Sequence, residues 1–263
     1  MNLIILALII FCIATLMTMT GRGGGNFYVL ALVLSGLSMH QSASTGQFIL
    51  FVSSISATLI FGRGRKVEWK LVLIIGSLTA LSAFFGGFFA QYFSGRILKF
   101  VFSFFLLIAS LLMLRPVKER KIFVKKKFGI LNIKSNGNEY EIDLKFALPL
   151  IVATGFGAGM VGVSGGSFLV PLMVLACGVP MDLAVGTSTT MVAATALMGF
   201  IGHVVTGDFI PKTAIVLAVA AATGGFIGGS FALKTKPKML KLLFGLTTLA
   251  AAVVMVFHAI ISK

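Results

Sequence analysis

The chain contains two related apolar halves, and this duplication limits the folds open to it more than any other feature. Residues 84–113 align without a gap with residues 226–255, at an offset of 142, and eleven of the thirty aligned pairs are identical. At this offset, Gly86 aligns with Gly228 and Gly87 with Gly229. Further upstream the offset is 140, and the aligned glycine pairs are Gly25/Gly165, Gly46/Gly186 and Gly62/Gly202. Hydrophobic chains with two related halves are common among membrane proteins, where a ligand site lies between the halves.

The composition places these halves in a lipid bilayer. Hydrophobic residues make up 58% of the chain and charged residues 11%, with a mean hydropathy of +1.06, whereas soluble domains carry roughly 25% charged residues. The net charge of +15 comes from basic residues in short gaps between apolar runs, as in cytoplasmic loops. This placement predicts contact with anionic lipid headgroups and no nucleic acid partner. Residues 1–20 lack the basic n-region of a signal peptide and are predicted to form a retained helix.

The apolar runs form ten segments, five in each half. They lie at residues 2–20, 26–40, 46–62, 69–92, 97–114, 146–161, 166–179, 184–205, 211–233 and 239–260. The second segment of each half is shorter than the ~20 residues that span a bilayer, which predicts a half-helix or a re-entrant element. The predicted fold class is an all-α polytopic membrane protein with two inverted-topology repeats, broken or re-entrant helices and about 8–10 membrane segments.

One hydrophilic stretch divides the chain into three parts. Residues 115–145 carry nine of the 22 Lys and Arg residues and separate a first membrane repeat at 1–114 from a second at 146–263. Within this linker, Asn136-Gly137 lies between runs of alternating apolar and polar residues, which predicts a small exposed β-hairpin. With the linker in the cytoplasm, about 17 basic residues face inward and four outward. This bias predicts a multi-pass inner-membrane protein with both termini outside.

A glycine-rich break separates the first two segments of each half, at residues 21–26 and 162–167. Helices that start at such breaks aim unpaired N–H groups and a positive dipole end at one point, which favours a small anion. Irregular backbone at membrane depth is tolerated where it is buried in protein or lines a cavity. Close helix packing is the alternative interpretation of these glycines. The predicted substrate-binding residues are Gly24, Gly25, Asn26, Ser44, Thr45, Ser164, Gly165, Gly166, Ser167, Thr187 and Ser188.

The third segment of each half opens with hydroxyl side chains, at residues 42–47 and 186–190. Such residues at a helix start either cap backbone amides or bind anion oxygens, and both interpretations stay open. Asp182 is predicted to be the N-cap of the segment at 184–205. Glycines four apart, such as Gly224 and Gly228, predict seams where helices pack closely.

Few titratable side chains lie where they could take part in transport. His203 lies at the end of a predicted membrane helix, where it contacts a proton or the substrate, or lies at the headgroup level. The seven acids lie in loops or at helix ends, so no carboxylate is predicted deep in the membrane. The two cysteines and three histidines lack the spacing of a metal or haem site, so no metal and no other cofactor is predicted.

Several of these motifs together resemble the TauE/SafE family of sulfite exporters and related anion permeases. The resemblance spans nearly the whole chain and depends on residues 162–171, residues 185–188, His203 followed by Gly207-Asp208, and Gly228-Gly229 before a basic loop. The first half departs from this pattern, because Ala31 stands in register with Pro171 and Arg63 with His203. The resemblance implies transport of small sulfur-containing anions: sulfite, sulfoacetate, thiosulfate or organosulfonates.

The predicted function is a secondary transporter in which two inverted repeats alternate access to an anion site near mid-membrane. An anion channel on the same scaffold is the alternative. An intramembrane enzyme is disfavoured because the chain lacks recognisable metal and haem ligands. The expected partners are the small anion and the lipid bilayer, and the sequence leaves open whether the chain forms a homo-oligomer.

Overall fold

The computed structural model describes residues 2–98, 100–101, 104, 130–135, 138–205, 209–236, 238–239, 242–243 and 246. Within these residues the chain forms a helical bundle with a small two-stranded sheet at one end. Most of the linker, and most of the segments predicted at 97–114 and 239–260, lies outside the described residues.

The other apolar segments fold as helices, although the second helix ends, and the third begins, several residues earlier than predicted. They are α1 (Leu3–Thr18), α2 (Gly25–Leu34), α3 (Met39–Arg63), α4 (Trp69–Tyr92, with a π-helical turn at Val72–Gly76), α5 (Leu144–Val161), α6 (Gly166–Pro171, continued by a π-helical turn at Leu172–Ala176), α7 (Met181–Val204) and α8 (Pro211–Lys234). Within the described part of the chain, α3, α4, α7 and α8 are long and apolar enough to cross a membrane. The shorter apolar helices are α1, α2 and the apolar part of α5.

Helices α3 and α7 pack against each other at the centre of the bundle. Helix α8 packs on α1 and α3, and α4 packs on α5 and α7. The helices α1, α2, α3 and α4 correspond in order to α5, α6, α7 and α8. When each helix is exchanged for its counterpart, the same set of helix contacts results. The fourth helix of each half therefore packs against the first and third helices of the other half.

Glycines allow two of these helix pairs to approach closely. Gly86 of α4 lies against the Phe156 carbonyl oxygen of α5, and Gly228 of α8 lies against the Thr15 carbonyl oxygen of α1, in both cases without room for a Cβ atom. Small residues let helix backbones come together in membranes, where packing rather than water expulsion favours association. The aligned glycines of the two halves thus make corresponding contacts.

Two antiparallel strands, β1 (Ile130–Ser135) and β2 (Asn138–Asp143), lie where the sequence predicts a hairpin. The turn between them falls outside the described residues. The prediction that the hairpin is exposed is wrong for β2, because Tyr140 and Ile142 are buried. These side chains pack into an apolar cluster that includes Leu71, Ile75 and Met173. Apolar side chains at alternate positions of β2 thus cover part of the helical bundle.

Large apolar side chains are exposed on the outer faces of the bundle. Examples are Leu8 and Leu16 on α1, Leu73 and Leu81 on α4, and Val219 and Phe231 on α8. Soluble monomers rarely expose apolar surface of this extent, whereas lipid tails cover it without cost. The protein is therefore an all-α polytopic membrane protein.

Candidate functional site

The first glycine-rich break reverses the chain between α1 and α2. Its backbone is left-handed at Gly21 (φ 78°), Gly23 (φ 68°) and Gly24 (φ 94°). Side chains with a Cβ atom rarely adopt this conformation, so the run of glycines permits the reversal. Gly24 is the N-cap of α2 and has no side chain to cap the helix, which leaves the first amides of α2 to other partners.

The second break connects α5 to α6 with a simpler backbone. Only Gly162, among the glycines of this break, has a left-handed conformation (φ 78°). The Gly166 amide at the start of α6 donates to the Ser164 hydroxyl at 3.1 Å, which supplies one partner for the new helix. Ser164 and Ser167 are both buried.

The two breaks are in backbone contact. A Cβ atom on Gly25 would lie 2.8 Å from the Ser164 amide nitrogen, and one on Gly166 would lie 2.7 Å from the Gly21 carbonyl oxygen. These separations are too short for any side chain, so glycine is required where the breaks meet. Helices α2 and α6, from different halves of the chain, therefore begin beside each other.

Hydrogen bonds made by side chains join the two breaks. Asn26 accepts from the Ser164 amide through Oδ1 and donates to Ser167 Oγ through Nδ2, both at 3.3 Å. Arg22 Nε donates to the same Ser167 oxygen at 3.1 Å. Arg22 is only 1% exposed. We call Arg22, Asn26, Ser164 and Ser167 the junction cluster.

The electrostatics of the junction favour a negative ligand. A helix N-terminus carries the equivalent of roughly +0.5 charge, and α2 and the continuous helical segment Gly166–Ala176 both begin here. The guanidinium of Arg22 adds a full positive charge. Backbone amides at helix starts, serine hydroxyls and a guanidinium are the donors that bind oxyanions in proteins.

Helix α3 brings two of the predicted hydroxyl residues near the junction. Ser38 caps α3, so Ser44 and Thr45 lie inside the helix and the prediction that they open it is wrong. Both side chains are fully buried, and their oxygens have no hydrogen-bond partner among the described residues. The neighbouring Ala43 packs against Gly162 at the edge of the second break.

The start of α7 also differs from the prediction. Pro180 is its N-cap, so Asp182 lies in the first turn and is not the cap. Residues 186–190 consequently lie in the second and third turns, where Thr189 and Thr190 donate to carbonyl oxygens of their own helix. The hydroxyl cluster does not cap this helix, because the helix begins earlier than the apolar pattern indicates.

The two predicted residues of α7 point to different neighbours. Ser188 Oγ donates to the Gly21 carbonyl oxygen at 2.9 Å, which brings α7 to the junction beside Arg22. Thr187 Oγ1 instead accepts from the Glu68 amide at 3.0 Å and holds the loop between α3 and α4. The structure therefore places Ser188, but not Thr187, at the junction.

His203 lies far from the junction cluster. It is separated from Ser188 by fifteen residues of one helix, a distance of about 22 Å at 1.5 Å per residue. The ring is buried, and its Nε2 lies 2.8 Å from the Gly159 carbonyl oxygen. A carbonyl oxygen only accepts, so Nε2 carries a hydrogen in this contact. His203 is therefore not part of the junction, and its role as a proton or substrate contact stays a prediction.

Comparison with known proteins decides the family. A family model described as "Sulfite exporter TauE/SafE" matches residues 6–255. The chain belongs to the TauE/SafE family. It is similar to three proteins named probable membrane transporter protein: YunE of Bacillus subtilis (22% identical over 275 residues, 100% of both chains), YdhB of the same organism (22% over 254 residues, 96% of this chain and 100% of YdhB) and YfcA of Escherichia coli K12 (23% over 220 residues, 83% of this chain and 77% of YfcA).

No solved structure matches this chain. The family and the transporter names of its relatives identify the protein as a membrane transporter. Among the residues that the structure describes, no three His, Cys, Asp or Glu side chains form a group that could hold a metal ion.

Arg22 is the junction residue that the sequence analysis did not select. It is the only charged residue within either glycine-rich break of this TauE/SafE protein. The other basic residues lie in loops or near helix ends, where charge bias explains them. A charged side chain in a short break between two membrane segments is a reason to expect a functional site, and this signal could have identified Arg22.

Glu68 is a loop acid that the fold buries. It lies in the loop before α4, as predicted, but it is fully buried. Its Oε1 accepts a hydrogen bond from the Tyr140 hydroxyl at 3.0 Å. The burial was not foreseen because it depends on β2, which covers this loop instead of remaining exposed.

Proposed function

We propose that this TauE/SafE protein is a secondary carrier of small sulfur-containing anions such as sulfite, thiosulfate, sulfoacetate or other organosulfonates. The observation that supports the proposal is the burial of Arg22 where α2 and α6 begin. A charged residue is costly at membrane depth and is retained there for a functional reason. The planar guanidinium presents donors that match the oxygens of a sulfite or sulfonate group.

The proposed substrate site comprises the junction cluster together with its neighbours. Gly24, Gly25, Gly165 and Gly166 provide close backbone approach, and Ser188 approaches from α7. Ser44 and Thr45 are buried hydroxyls whose oxygens have no partner among the described residues. Unsatisfied buried hydroxyls are unfavourable, so a ligand that accepts hydrogen bonds from them would stabilise the bound state.

The proposed mechanism is alternating access of two inverted repeats. The packing of α8 on α1 and α3 matches the packing of α4 on α5 and α7, and this correspondence supports a twofold relation between the halves. The basic loops after α3 and α8 support the same relation, since charge bias places both in the cytoplasm although they follow different elements of the repeat. With residues 115–145 also in the cytoplasm, both termini face outward and the protein spans the inner membrane.

Transport by purified protein in liposomes tests the proposal. We expect saturable uptake of labelled sulfite or thiosulfate that speeds up when the same anion is present on the opposite side. Ser164→Trp should abolish anion binding because it fills the junction, whereas Ser77→Trp, on the exposed face of α4, should not. A channel would instead give flux that does not saturate. Absence of flux for every small sulfur oxyanion tested contradicts the proposal.

A further inference from the structure

A cavity of about 170 Å³ lies beside the junction, at the end of the bundle that carries the basic loops. Its walls come from α3, the loop after α3, α7 and α8, and the lining residues are Phe61, Lys66, Asp182, Val185, Ala232, Leu233 and Thr235. At about 30 Å³ per water molecule this space corresponds to roughly six waters. A small oxyanion such as sulfite therefore fits inside it.

An ion pair between the two halves of the chain lies at this cavity. Lys66 Nζ is 2.5 Å from Asp182 Oδ2, and the two side chains are 37% and 31% exposed. Lys66 belongs to the loop after α3, whereas Asp182 belongs to the first turn of α7. Partly exposed pairs of this kind are weak, so this one can break and form again during transport.

The backbone beneath the ion pair is held in place. Gly186 of α7 lies against the Lys66 carbonyl oxygen without room for a Cβ atom, and the Glu68 amide donates to Thr187 Oγ1. Tyr140 of β2 holds Glu68 from the other side. Because the loop is attached to α7 at these points, the Lys66 and Asp182 side chains can separate without movement of their backbone.

The inner wall of the cavity is directly next to the junction. A Cβ atom on Gly21 would lie 2.8 Å from the Cα atom and from the carbonyl oxygen of Val185. Gly21 precedes Arg22 in the chain, and its carbonyl oxygen accepts from Ser188. Val185 therefore lies between the cavity and Gly21, the residue before Arg22.

We propose that this cavity is a vestibule for the transported anion, and that the Lys66–Asp182 ion pair is its gate. In the closed arrangement the Asp182 carboxylate is paired with the Lys66 ammonium group. An incoming oxyanion displaces the carboxylate, binds Lys66 and then reaches the junction past Val185. The neighbouring exposed Lys234 and Lys236 raise the local concentration of anions at this end. This inference rests on the proposed transport function.

Labelling of an introduced cysteine tests the gate without a transport assay. The starting protein is the full chain with both native cysteines, Cys12 and Cys177, replaced by alanine. The labelling rate of Val185→Cys measures access to the inner wall of the cavity. Thr235→Cys, at another position of the same cavity lining, is the reference for that rate. The probe is a methanethiosulfonate reagent that carries a sulfonate group, compared with a neutral reagent of similar size.

The gate predicts faster labelling of Val185→Cys when either partner of the ion pair is removed. With the neutral reagent, Asp182→Asn and Lys66→Met should each increase the rate up to about fivefold, the population change for loss of an ion pair worth about 1 kcal/mol. With the sulfonate reagent, Asp182→Asn should be faster than Lys66→Met, because only Asp182→Asn leaves the lysine available to the anion. With the neutral reagent, Thr235→Cys should react alike in all backgrounds, and Lys234→Met should leave the labelling rate of Val185→Cys unchanged.

Equal labelling rates in all backgrounds would overturn the gate, and equal rates of the two variants with the sulfonate reagent would overturn the anion-binding role of Lys66. If Val185→Cys does not fold, Ala232→Cys on the buried lining of α8 gives the same comparison. Lack of transport with the predicted labelling would remove the proposed function but leave the gate. Transport with unchanged labelling rates would support the proposed function and overturn the gate.

Discussion

At the scale of single residues, the junction centres on the buried guanidinium of Arg22, which we propose as the main contact for the anion. Neither glycine-rich break contains an acidic residue. Arg22 is instead held by Ser167, which also accepts from Asn26. This arrangement holds the guanidinium between the two halves, where we propose that it binds the oxyanion.

Replacement of Arg22 tests its role directly. Arg22→Gln should weaken anion binding roughly 10- to 100-fold, because a hydrogen bond to a charged group contributes about 1.5–3 kcal/mol. Binding of labelled sulfite or thiosulfate to purified protein measures the change. Arg63→Gln removes the same charge at the exposed end of α3 and should bind as the unmodified protein does. Equal losses in both variants would indicate a general charge effect and not a site.

Two adjacent glycines of the second break offer a matched steric test. A Cβ atom on Gly166 would lie 2.7 Å from the Gly21 carbonyl oxygen, whereas one on Gly165 would meet nothing closer than 3.7 Å. Gly166→Ala should lower the free energy of unfolding by about 1–3 kcal/mol through overpacking, while Gly165→Ala should not. Thermal unfolding in detergent compares them. Similar unfolding temperatures for both variants would show that the two breaks do not touch.

The residue types of the junction could be predicted from the sequence, because glycines and serines in a break between apolar runs have a direct physical meaning. The partners of each side chain could not. Ser188 and Thr187 are neighbours in sequence, yet one bonds Gly21 and the other bonds the loop at Glu68. Such pairings depend on how α7 is rotated against its neighbours, which no local pattern specifies.

At the scale of elements, helix packing depends on glycine seams. Gly86→Ala would place a Cβ atom against the Phe156 carbonyl oxygen, whereas Gly62→Ala in α3 would meet no atom nearer than 4.0 Å. We expect Gly86→Ala to destabilise the protein by about 1–3 kcal/mol and Gly62→Ala to be tolerated. The measurement is the thermal stability of each variant by size-exclusion chromatography after heating. Tolerance of Gly86→Ala would argue against close contact of α4 with α5.

The sequence predicts the elements better at their apolar centres than at their ends. Helices α3 and α7 begin several residues before the predicted segments, because their first turns contain polar residues such as His40 and Asp182. Hydrophobicity alone ends a segment at the first polar residue. Asp182, for example, pairs with Lys66 of the loop after α3.

At the scale of the whole molecule, the account requires equivalent loops of the two halves to lie on opposite sides of the membrane. Lys66 and Lys236 should therefore face the same compartment. Lys212, at the other end of α8, should face the opposite one, because the 24 residues of this helix extend over about 36 Å. Cysteine substitutions at these three positions, labelled in intact cells with a reagent that does not cross membranes, give the sidedness. Labelling of Lys66→Cys and Lys236→Cys from different sides would contradict the inverted arrangement.

The most direct test is the position of a bound anion. Crystals of the protein in lipid, grown with selenite as the selenium analogue of sulfite, would locate the anion by anomalous scattering. We predict a peak within hydrogen-bond distance of the Arg22 guanidinium and the Ser167 hydroxyl, between the first turns of α2 and α6. A peak found only elsewhere, or none at concentrations that saturate transport, would contradict the account.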